Sequence, residues 1–181
     1  MDVDRSQLRE INPPAGTPPR YTQRPFPPYR YVPGLHPHPV AHPDGHSFHP
    51  AGVHPPAGPL LEPRRWRDTE DYLYGIDLYN GGYWWEAHEA WEGLWQQTDK
   101  AGRQGRFLQG IIQVSAAHLK RHVGQPEGVR RLLERARGHL AAVLAEDPSA
   151  AFMGVQVADF LNAVQAYFEC RTGAFPFLTP Y

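Results

Sequence analysis

The chain has 181 residues and a formal net charge of −1, from 18 Lys and Arg against 19 Asp and Glu. That length suits one domain with an appendage. The near-zero charge gives no global attraction to nucleic acid, and no stretch approaches the ~18 apolar residues of a membrane span, so neither partner is implied. Cys170 is the single cysteine and cannot close an intramolecular disulfide; it reads as a small buried apolar residue. The opening MDVDRSQLRE lacks an apolar targeting core, and the expected location is the cytoplasm.

Sixteen of the 20 prolines, Pro13 to Pro63, precede Arg64. Prolines remove amide donors and push their predecessors toward extended backbone, so residues 1–64 are read as an extended Pro/His-rich arm and 65–181 as a helical domain. Phe26, Tyr29, Tyr31 and Phe48 offer apolar anchors that hold part of the arm against the helices. Six of the ten histidines also lie in the arm: His36, His38, His42, His46, His49 and His54. Such density in a Pro/Gly-rich stretch is a metal-binding composition, or a solvated low-complexity one.

The periodicity then becomes helical. Helix one, about 67–80, carries Trp66, Tyr72, Leu73, Ile76 and Tyr79 on a broad stripe and stops at Asn80-Gly81-Gly82. Helix two, about 83–98, puts Trp84, Ala87, His88, Trp91 and Trp95 on one buried face, a face that contains a histidine. Helix three, about 104–123, is apolar around much of its circumference and is expected to be central, with Gln109 and Gln113 as half-buried amides that need partners. Helix four starts near Pro126 and buries Val129, Leu132, Leu133, Ala136, Leu140 and Val143 before Asp147-Pro148 closes it. Helix five, about 151–171, carries Val157, Phe160, Leu161, Val164, Tyr167 and Phe168 and ends before Gly173. The fold class is therefore all-α, a compact bundle of about five helices behind the arm.

His88 and Glu92 lie four positions apart, about 40° around a helix and ~6 Å along it, so both side chains reach one point. Imidazole and carboxylate suit zinc, manganese, iron or nickel, with Glu89 as base or outer acceptor. Position 92 is Glu, so the His-Glu-x-x-His motif of metalloproteases is absent, and Trp85 stands where a di-iron bundle would have a glutamate. Two ligands are incomplete. His118 or His122 on helix three, or His38 or His46 delivered by the arm, are the candidates to complete the set. The alternative for His88 is a core histidine hydrogen-bonded to Glu92 or Gln113.

The run LYNGGYWWEAHEAWEGLW (78–95), followed by RFLQGIIQVSAAHLKRHVGQPEGVRRLLERA (106–136), resembles the bacterial and archaeal domain of unknown function family 309. Its His-x-x-x-Glu-x-x-Trp motif, suggested to bind metal, falls on His88, Glu92 and Trp95. Its Phe-x-Gln-Gly-x-Ile-Gln element falls on Phe107, Gln109, Gly110, Ile112 and Gln113. The resemblance covers about residues 70–140 and implies an all-α fold without fixing a reaction; YRYVPGLHPHP (29–39) is similar to an extension of some members. Helices one and two also look like one tetratricopeptide-type hairpin, without further copies.

Two functions compete. One is a metal-dependent, hydrolytic enzyme with His88 and Glu92 as ligands, Glu89 or Glu92 activating water, and Gln109 and Gln113 orienting a small-molecule substrate. The other is a non-enzymatic helical module whose aromatic faces and arm dock a protein partner or a second copy in a homo-oligomer.

Overall fold

The chain is described here by a computed structural model over residues 8–52, 56–147 and 151–181. Among these residues the regular elements are all helical: a short 3-10 helix over Pro63–Asp68, then α1 (Glu70–Asn80), α2 (Trp84–Trp95), α3 (Arg103–His122), α4 (Pro126–Glu146) and α5 (Val157–Phe168). None of the helices is long and apolar enough to cross a membrane.

Short antiparallel connections follow from residues that tolerate left-handed backbone. After α1, Gly82 has φ +83, its N–H bonds Tyr79 O at 3.1 Å, and the Tyr83 N–H bonds Leu78 O at 2.8 Å. This pair of bonds is the Schellman closure, which satisfies carbonyls the helix end leaves open. After α3, Gly124 at φ +69 repeats it, with Gly124 N–H on Arg121 O and Gln125 N–H on Lys120 O. Each turn folds the next helix back onto the last.

α3 is the central helix, packed against α2 on one side and α4 on the other. Six of its apolar side chains are buried, Phe107, Leu108, Ile111, Ile112, Val114 and Ala117, and so is Val123 just past its end. Gly110 lets α4 approach, since a Cβ there would lie 2.6 Å from Leu140. Gly75 does the same on α1, where the indole of Trp91 occupies the space and its Nε1 donates to Tyr72 O at 3.2 Å. Trp91 is fully buried, so burial of its apolar surface contributes roughly 2–3 kcal/mol.

α5 begins later than periodicity alone suggests. Phe152 and Val155 exchange backbone hydrogen bonds across Met153 and Gly154, both at positive φ. A tight turn therefore replaces the first helical turn expected from residue 151, burying Phe152, Met153 and Val155 individually. The helix also ends earlier. Cys170 is exposed, not buried, because it sits at φ +57 as the left-handed residue just past α5. The Cys170 and Arg171 N–H groups bond Tyr167 O and Ala166 O, so cysteine fills the place that glycine fills after α1 and α3.

Residues 8–52 run across the helices without a helix or strand of their own. Leu8, Ile11 and Val32 join the same buried cluster as the helices. Phe26 stacks on Tyr83 at 4.7 Å, and Tyr31 meets Trp85 edge-on at 5.5 Å. His54 lies outside the described residues.

Candidate functional site

α2 opens directly from the Gly82 turn, and Glu86 in its first turn faces the amide end of the helix dipole. Its inward stripe is Trp84, Ala87, Trp91 and Leu94, all buried. This is a narrower stripe than one running through residue 88, so His88 emerges at its edge with 30 % of its side chain exposed. The expectation of a histidine inside the apolar face is corrected accordingly.

On that outer face His88, Glu89 and Glu92 gather, with one ligand atom from each within 4.8 Å of the others. His88 Nδ1 lies 3.1 Å from Glu89 Oε1 and 3.7 Å from Glu92 Oε2. Both carboxylates are partly exposed, 43 % and 38 %. Bonds of about 2.1 Å to one ion place ligand atoms roughly 3.0–3.4 Å apart. The His88–Glu89 separation falls in that range, and the His88–Glu92 separation lies just outside it.

The other candidate ligands lie elsewhere. His118 is 1 % exposed inside the bundle; its Nε2 is 3.1 Å from the Tyr79 hydroxyl and its ring stacks on Trp84 at 5.1 Å. Burial, with the Arg121 charge adding to it, lowers its pKa to about 3. His46 has both ring nitrogens engaged, Nε2 on Glu86 Oε1 at 3.1 Å and Nδ1 with Ser47 Oγ at 2.8 Å. His38 faces its own loop, accepting at Nδ1 from the Val40 and Ala41 amides, and stands edge-on to Trp85 at 5.5 Å. Trp85 precedes His88 by one turn of the same helix. The arm histidines therefore border the His88 face through an indole and are not gathered into it.

Gln109 and Gln113 are half-buried on α3, the helix packed against α2. The Gln113 Oε1 is a buried acceptor without a hydrogen-bond partner among the described residues, as is Glu86 Oε2. Glu86 itself is a buried carboxylate that the sequence reading passed over. Its Oε1 accepts from Tyr31 N at 2.9 Å as well as from His46.

Residues 72–132 match the family model described as Domain of unknown function (DUF309). The matched segment spans most of α1, all of α2 and α3 and the first turns of α4. His88, Glu89, Glu92, Gln109, Gln113 and His118 fall inside it, whereas His38 and His46 fall outside. No curated protein matches the chain.

Proposed function

We propose that the outer face of α2 is a divalent-metal site held by His88, Glu89 and Glu92, with hydrolysis as the chemistry it suits. The observation that carries this reading is the convergence of three ligand atoms within 4.8 Å on one exposed helix face inside the DUF309 segment. One imidazole and two carboxylates form a mixed nitrogen and oxygen set that fits zinc, manganese, iron or nickel. A divalent ion held there supplies a Lewis acid with positions left for water and substrate.

The chain's own residues divide the remaining work. His88 sets the nitrogen ligand, Glu89 binds beside it, and Glu92 either ligates or takes a proton from water. Gln109 and Gln113, half-buried on the neighbouring α3, are the residues assigned to orient a substrate. Purified protein melted with zinc or manganese, and again with a chelator, tests the reading. At a metal concentration one hundred times Kd, the folded state gains about 2.7 kcal/mol. That gain is expected in the native chain and lost in His88→Ala; equal melting with metal and with chelator contradicts the assignment.

A second reading, a non-enzymatic interaction module, has its own support in the groove between α4 and α5. About 320 Å³ in volume, the groove is lined by Leu133, Leu161, Val164 and Phe168 between charged residues of both signs. Concentration-dependent mass by light scattering favours that reading if it appears in metal-free protein and is lost in Leu161→Arg.

A further inference from the structure

Residues 20–31, RYTQRPFPPYRY, lie against the α1–α2 hairpin in the manner of a bound peptide. Over residues 22–27 the backbone forms no regular element. Amides at the two ends of the segment are met instead by helix carboxylates. The Tyr21 and Thr22 N–H groups donate to Asp77 at 2.7 and 2.9 Å, and the Thr22 hydroxyl donates to it at 2.7 Å. Tyr31 N–H donates to Glu86 at 2.9 Å. Asp77 and Glu86 are 3 % and 5 % exposed; the donors that make burial tolerable come to Asp77 from this segment and to Glu86 from this segment together with His46.

The side chains add a second layer. Arg24 pairs with Asp71 and lies 3.9 Å over the Tyr74 ring. Arg30 donates to Gly81 O at 2.7 Å and lies 4.3 Å over the Tyr83 ring. Tyr74 donates its hydroxyl to Pro25 O at 2.8 Å, and Phe26 covers Tyr83. Aromatic faces spaced along a groove, a hydroxyl aimed at a prolyl carbonyl, and acidic groups for arginines are the elements by which extended proline-rich peptides are recognised.

We infer that the α1–α2 hairpin is a receptor groove for extended arginine- and proline-rich peptides, filled in cis by residues 20–31 and open to a partner segment of the same chemistry. Covalent attachment gives the arm an effective concentration in the millimolar range, which hides the groove from competitors. The groove is distinct from the face that holds His88, so this inference stands apart from the metal reading.

The test severs that attachment in the full chain. A protease site inserted after the exposed Gly52 is cut, and a fluorescent peptide of residues 18–34 is added in excess while helix content is followed by circular dichroism. The peptide is expected to enter saturably with helix content retained. The same peptide carrying Arg24→Ala and Arg30→Ala is expected to compete about a hundredfold less well, roughly tenfold for each of two lost charge-assisted contacts. Loss of helix content on cutting overturns the inference, because the arm is then a part of the core. A cut chain that stays folded but takes up no peptide, or only exchanges arms between copies, overturns it as well.

Discussion

Tyr79 has a single hydroxyl hydrogen, and the Pro176 carbonyl 3.0 Å away can only accept. The hydroxyl therefore accepts from His118 Nε2–H, which leaves the imidazole neutral with its proton fixed on Nε2. Since burial, and secondarily Arg121, hold the folded pKa near 3, the unfolded chain takes up this proton first as pH falls. Stability from His118 is thus complete above the ordinary histidine pKa and is lost progressively from about pH 6.5 toward pH 3. Urea unfolding at pH 7 and pH 4 should differ by on the order of 3 kcal/mol from this group. In His118→Gln, which keeps an N–H for Tyr79, the pH slope should shrink by that amount. The sequence marked His118 as a possible ligand because it lies on the helix expected beside α2. What it could not supply was the C-terminal carbonyl of Pro176, 97 residues along the chain from Tyr79, that settles the direction of the hydrogen bond.

At the level of elements, the three Schellman turns use two glycines and one cysteine for the same left-handed position. A side chain at that backbone angle costs about 1 kcal/mol relative to glycine. Cys170→Gly should therefore raise stability by roughly 0.5–1 kcal/mol in chemical denaturation. Gly110→Ala should lower it by about 1–3 kcal/mol, because the added methyl meets Leu140 where α3 and α4 are closest. A fall in stability for the first, or no change for the second, contradicts the turn and packing assignments. α1 to α4 were readable in the sequence because the 3.6-residue stripe, the Asn80-Gly81-Gly82 stop and the Pro126 start point the same way. The start of α5 was not. Phe152, Met153 and Val155 are apolar enough to extend a helical pattern, and only the tertiary positions of their side chains make a turn the better solution.

For the whole molecule, the decisive long-range feature is how the proline-rich segment meets acidic side chains on α1 and α2. The sequence showed aromatic anchors in the arm but gave no sign that Asp77 and Glu86 are buried, because their donors at Thr22 and Tyr31 lie 55 residues away. The candidate metal face was easier to read in part, since His88 and Glu92 lie four apart on a single helix and its pitch brings them together, whereas Glu89 was read as a base or outer acceptor. The arm histidines proposed to complete the set are instead committed to Glu86, Ser47 and their own loop. The metal proposal consequently rests on α2 alone. Calorimetric titration of zinc or manganese into the intact, chelator-stripped chain tests it most directly. One metal ion should bind per chain, and both His88→Ala and Glu92→Ala should abolish the heat while circular dichroism shows the fold retained. Undiminished binding in those variants, or no heat in the native protein, would contradict the account.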